Sequence, residues 1–316
     1  IEDDLDRAAW ALASVIGLLL VAGGVWALSR RTARPAAALW LDALARWVAV
    51  VAIAGIPLAI PGPIELPIAF ALAIAVGAAL ALLLVPRLRD ERLPLRAPLV
   101  TVAYGMIAEA VLLSWPEAAT AAVTGAVAVA AAALAARTAP PAIRPLHTAL
   151  GFGYALIAGA TALTLTELET LPILCLVTTA AALVALAASL TGRLPVGSWY
   201  AVLGVTAVPF GIGIVSVLIE RSGWTALSTG VILLLAATLV LTRRSGASTL
   251  LRAGGAALVA PTLAVVVVCL TAEFLTASGS PYALPVIAVI VACALPTTGL
   301  VREALVRRGY GEGAAD

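Results

Sequence analysis

Lysine is absent, histidine occurs once and charge of either sign is scarce: 19 basic and 17 acidic residues make up 11% of the 316 positions, against 63% hydrophobic. A chain this poor in charge has no polar surface with which to cover a soluble globule, so composition excludes a water-borne fold and places the chain in a bilayer. Arginine as the sole base, beside abundant Ala, Leu and Val, reads as the usage of a GC-rich genome. The net charge of +2 is too small to argue for a nucleic-acid partner, and the basic residues are spread over many short loops, so none is expected.

The reactive side chains are equally thin. Cys175, Cys269 and Cys293 stand singly inside apolar runs and match neither a zinc site nor a disulfide framework; they read as small buried hydrophobes. His147, in Arg144-Pro145-Leu146-His147-Thr148, has no second His or carboxylate at ligand spacing. It reads as an interfacial histidine, and neither metal nor cofactor is expected. The sequence has no Gly-x-Ser-x-Gly, no His-Glu-x-x-His and no phosphate-cradling glycine loop. Outer loops of a few residues leave an enzyme only Glu65, Glu167 and Glu169, so the chain is not expected to be catalytic. Ile1-Glu2-Asp3-Asp4-Leu5-Asp6 lacks the basic start of a signal peptide and suggests a fragment or processed piece. The last residues, 311–316, read as a solvated C-terminus.

What the chain does have is long apolar runs. A spanning helix needs roughly 20 apolar residues, and eleven such runs fall near 6–29, 37–60, 65–86, 97–115, 118–136, 145–165, 170–190, 198–219, 224–242, 250–275 and 282–302. They are unbroken and Ala/Leu-rich rather than alternating, which predicts an all-α polytopic transmembrane bundle and not a barrel. Arginines follow the odd-numbered runs, at 30, 31, 34, at 87–96, at 137 and 144, at 193, at 243–252 and at 302–308, whereas the other turns hold Glu65, Glu117, Glu167, Glu169 and Glu220. The positive-inside rule then puts the N-terminus outside and the C-terminus inside, in a bacterial cytoplasmic membrane. Trp10, Trp26, Trp40, Trp115, Trp199 and Trp224 lie near predicted helix ends, as headgroup anchors do, with Trp47 the exception.

The runs also repeat. Ala27-Leu28-Ser29-Arg30-Arg31-Thr32-Ala33-Arg34-Pro35 returns about 106 residues later as Ala133-Leu134-Ala135-Ala136-Arg137-Thr138-Ala139-Pro140-Pro141, and more weakly from Val240 to Ser245. A Leu-Pro pair opens a run at 66–67, 171–172 and 284–285. Four runs fill each period, which predicts parallel four-helix repeats in one membrane domain: a partial repeat 1–60, repeats 61–166 and 167–278, and a partial repeat 279–316. Beginning mid-module implies upstream repeats of the same polypeptide as partners, besides the lipid bilayer.

Ionisable and helix-breaking residues inside the spans are the candidate sites. Glu109 is the deepest acid, either a proton or cation carrier or a glutamate reaching the outer headgroups. Asp42 and Arg46, four apart, share a helix face as a structural ion pair. Glu273 is expected at the outer headgroups. Pro209, Pro261 and Pro296 interrupt helices, either lining a substrate pathway or merely kinking them. Gly151, Ala155 and Gly159 form a stripe for close helix approach.

Glu169-Thr170-Leu171-Pro172, a helix, a basic turn at Arg193 and Ser198-Trp199-Tyr200-Ala201-Val202-Leu203-Gly204 together resemble the recurring pattern of large actinobacterial membrane proteins with a SCO7613-type C-terminal domain. The resemblance is clearest over 160–310 and weaker over 60–165, where Glu65-Leu66-Pro67 lacks the threonine and no Ser-Trp follows Arg96. It implies long arrays of helices, often behind a soluble N-terminal region, and brings no activity with it. The function expected is therefore transport-related or scaffolding, without catalysis. The alternative is a secondary transporter or flippase for a hydrophobic or lipid-linked substrate, with Glu109 and the proline-broken helices near its pathway.

Overall fold

The structure is a computed structural model that describes residues 2–86, 96–219, 222–242, 244, 246–278 and 289. The described residues form ten α-helices and one 3-10 turn, with no strand. These are α1 (Glu2–Arg31), α2 (Pro35–Ala54), a 3-10 turn (Pro57–Ala59), α3 (Glu65–Leu84), α4 (Arg96–Ser114), α5 (Ala118–Thr138), α6 (Arg144–Thr164), α7 (Thr170–Thr191), α8 (Val196–Ile219), α9 (Gly223–Leu241) and α10 (Thr249–Ser278). Nine are long and apolar enough to cross a membrane, and in α8 the apolar stretch Val196–Ile212 is shorter. Ten of the eleven expected runs are helices, nine of them within about four residues of their expected ends. The eleventh, 282–302, lies outside the described residues apart from residue 289.

Local chemistry explains the boundaries. The second run was expected to continue to residue 60, but its helix stops at Ala54. Pro57 carries no N–H and crowds Ile56, so the chain turns there into the 3-10 segment, with the Gly55 amide donating back to Val51 and Ala52. Proline also starts helices: Pro35 and Pro145 occupy the first turns of α2 and α6, where a missing donor costs nothing. α7 ends on Gly192, whose φ of +63° is the left-handed stop that glycine adopts without strain. Ser222 caps α9 by accepting from the Thr225 amide at 3.4 Å.

The chain divides into two compact units, 1–165 and 166–316. In the first, α1 packs on α2, α2 on α4, α3 on α4 and α5, and α5 on α4 and α6. In the second, α7 packs on α8 and α9, and α9 on α10. The seams follow a 3.5-residue beat. Along this beat the buried positions include Ala8, Val15, Ala22 and Ser29 on α1, Ile68, Ala71, Ala75, Ala78 and Leu82 on α3, and Cys175, Thr178, Ala182, Ala185 and Ser189 on α7, with Ala79, Thr179, Ala181 and Ala188 widening the stripe. That spacing keeps one stripe against a neighbour, and its small residues let backbones approach until dispersion holds them, since lipid gives helix faces no hydrophobic reason to associate.

The glycine stripe expected on α6 is only partly a contact. A β-carbon on Gly151 would stand 3.5 Å from Ala132 of α5, but one on Gly159 would meet nothing within 4 Å. The tightest approach belongs to Gly125 of α5, where an added β-carbon would lie 2.4 Å from that of Ala158.

Candidate functional site

In the first unit, polar groups appear at three places. Asp42 and Arg46 form the expected ion pair on α2. A cavity of about 800 Å³ opens beside them, lined by Trp26, Ser29, Arg30, Pro35, Ala38 and Leu39, with the Arg30 guanidinium 5.2 Å from the Trp26 ring centre. Arg46 Nη1 is buried without a hydrogen-bond partner, so the pair satisfies one arm of the guanidinium only.

Glu109 lies five residues from the end of α4, and its Oε1 is buried with no hydrogen bond, where a headgroup-reaching or capping side chain would find water or an amide. An ungratified carboxyl oxygen in an apolar span is an unusual thing to keep. Its neighbours on α4, Met106 and Ala110, belong to the apolar core with Ile68, Ala71 and Ala75 of α3.

At the arginine-bearing end, the Tyr104 hydroxyl and His147 Nδ1 are hydrogen-bonded at 2.5 Å with their rings stacked at 5.2 Å, tying α4 to α6. His147, near the start of α6, is only 5% exposed: with tyrosine as a partner, the imidazole can be buried. Beside it Arg96 donates to the Thr138 carbonyl at 2.8 Å and Arg144 to the Ala139 carbonyl at 3.0 Å, closing the C-terminus of α5 with charge of the favourable sign.

The second unit has a denser lock at its arginine-bearing end. Arg244, just beyond α9, donates to the carbonyls of Ala188 at 3.0 Å and of Leu194, and its guanidinium lies 4.7 Å over the Trp199 ring. Trp199 in turn donates through Nε1 to Ser189 Oγ at 2.9 Å. Tyr200 donates to the Gly246 carbonyl at 3.1 Å and accepts from the Ser248 amide at 2.9 Å. Trp199 is 0% exposed, which corrects the expectation of a headgroup anchor, whereas Trp10 and Trp40 are 77% and 78% exposed. At the opposite end, Glu273 is held by the Gly223 amide at 2.7 Å, so this carboxylate closes the N-terminus of α9.

Next to the lock lies a cleft of about 580 Å³, lined by α8 from Tyr200 to Phe210, α9 from Ile232 to Leu239, Ser248 just before α10, and α10 from Leu250 to Leu258. Its walls are mostly leucine, alanine and glycine, together with Thr206, whose hydroxyl donates to the Val202 and Ala181 carbonyls; Tyr200 and Ser248 stand at the arginine-bearing mouth, and Phe210, Ile232 and Leu258 at the far end. Ala207, Gly254 and Ala257 line it and are exposed, so it opens sideways from the bundle. Pro209 is buried beside Phe210 and Pro261 follows Leu258 by three residues; both sit inside their helices next to the cleft's far end, and neither lines it. Pro296 lies outside the described residues, as does Cys293. Cys175 and Cys269 are buried. Among the described residues no three His, Cys, Asp or Glu side chains are placed to hold a metal ion.

Sequence reading overlooked the cleft and both polar locks. The signal for the second was present as Ser198-Trp199-Tyr200 following a basic turn, but nothing local says that the indole turns inward. No family model, curated protein or solved structure matches the chain.

Proposed function

We propose that this is a non-catalytic, multi-pass repeat protein of a bacterial cytoplasmic membrane whose helices act as an envelope scaffold, with the N-terminus outside and the C-terminus inside. One observation carries the reading: the same order of packing recurs one period apart. α3 holds α4 and α5 while α5 holds α6; α7 holds α8 and α9 while α9 holds α10. Both sets are tied by arginines donating to carbonyls near the end of a helix, Arg96 to Thr138 and Arg244 to Ala188. This supports parallel four-helix modules, the arrangement that the resemblance to the actinobacterial repeat proteins implies. Spectroscopy of the purified chain reconstituted in vesicles tests the scaffold role: helices that neither transport nor turn over a substrate leave pH and solute gradients intact.

A second reading, a transporter or flippase for a hydrophobic or lipid-linked substrate, is favoured by Glu109 Oε1, buried and unbonded. On that reading Glu109→Gln abolishes proton-coupled uptake in vesicles while leaving the helical circular dichroism spectrum unchanged. An unchanged rate removes the residue from any pathway.

A further inference from the structure

We infer that the cleft between α8, α9 and α10 is a lateral binding site for one acyl chain of an anionic phospholipid, drawn from the leaflet at the arginine-bearing face. The inference depends on the helices lying in a bilayer and not on any transport role.

Length and polarity argue for this occupant. From Tyr200 to Phe210 the wall of α8 advances ten residues, a rise of about 15 Å. That is half of the roughly 30 Å hydrocarbon thickness, so the cleft has the depth of a single leaflet. It begins at the face where Tyr200 and Ser248 supply the polar groups of its mouth and ends against Phe210, Ile232 and Leu258. A sideways opening between membrane helices lies open to the lipid beside it, and walls of leucine and alanine, with the Thr206 hydroxyl already donating to backbone carbonyls, offer water little to bond. A lipid tail, already beside the opening, is the occupant that leaves no polar group unsatisfied.

Charge at the mouth selects the headgroup. Arg193 is exposed on the turn between α7 and α8, and Arg252 stands next to Leu251 in the cleft wall of α10. Arg244 adds a third positive charge from inside the lock. The described acids of the unit are at the other end: Glu169 precedes α7, Glu167 lies just before it, and Glu273 meets the start of α9. A phosphate-bearing headgroup with net negative charge complements such a mouth.

Glycine geometry supplies the test. Gly254 lines the cleft and a β-carbon there meets nothing within 4 Å, whereas one on Gly255 would lie 3.1 Å from the Ala236 carbonyl. The full chain is reconstituted in phosphatidylcholine vesicles doped with phosphatidylglycerol carrying a diazirine near the tail terminus, irradiated, and its adducts mapped by mass spectrometry. Adducts are expected to concentrate on Phe210, Ile232 and Leu258. They fall several-fold in Gly254→Phe, persist in Gly254→Ala, and in both variants the adducts on outward Leu183 and Leu234 stay as they were. Unlabelled phosphatidylglycerol competes better than phosphatidylcholine, and Arg193→Gln reduces that preference about fivefold. Adducts spread evenly over exposed faces, a cleft closed to the probe by another part of the chain, or no effect of Gly254→Phe would each overturn the site. Equal competition by the two lipids would overturn the anionic headgroup.

Discussion

Gly125 and Trp199 show what a single residue does in a bundle without hydrophobic drive between its helices. With an alanine at 125, two β-carbons would need to occupy positions 2.4 Å apart, and α5 and α6 must separate to accommodate them. Overpacking of that kind costs about 1–3 kcal/mol, so Gly125→Ala is expected to lower the thermal unfolding midpoint in detergent, while Gly159→Ala, facing open space, leaves it unchanged or raises it. Trp199→Phe removes the hydrogen bond to Ser189 and weakens the stacking under Arg244. The loss should be about 1–3 kcal/mol, read by denaturant unfolding followed by circular dichroism. Sequence placed Trp199 at a helix end correctly and its side chain wrongly, because an indole beside a basic turn reads the same whether it meets headgroups or a guanidinium.

At the scale of the element, helix ends were more legible than helix faces. Pro35, Pro145 and Gly192 act where they stand, through their own backbone restrictions, and need no partner to be understood. Gly192→Ala forces an L side chain into the left-handed region, with no neighbour within 4 Å to add a clash. The cost is therefore conformational, about 1–2 kcal/mol, and Gly192→Asn should recover part of it in the same unfolding measurement. The stripe on α6 was harder to read, since small residues recur on every face of these helices. Gly151, which faces Ala132, and Gly159, which faces nothing, cannot be told apart by spacing.

For the whole molecule, the prediction concerns sidedness. Single cysteines in the 137–144 turn and at Arg193, in a chain with its native cysteines replaced, are expected to react with a membrane-impermeant maleimide from the cytoplasmic side only, and cysteines at Glu117 and Glu167 from the outside only. Labelling of the Arg137 turn from outside, with Arg193 protected there, would break both the orientation and the four-helix module. The packing order within each unit has the same sense, but it is an arrangement of contacts, and sidedness is a property of the bilayer.

The places of ten helices along the chain, most of their ends and their membrane-spanning apolar character were legible in the sequence alone, because hydrophobic length, proline and charge act locally. The inward turn of Trp199, the junction of Tyr104 with His147, the close pass at Gly125 and the cleft beside Gly254 were decided only in the tertiary structure. The physical reason lies in the solvent. In lipid an apolar side chain is equally at home outward or inward, so hydrophobicity no longer marks the packed face, and only shape, together with the few hydrogen bonds that must be met, selects one.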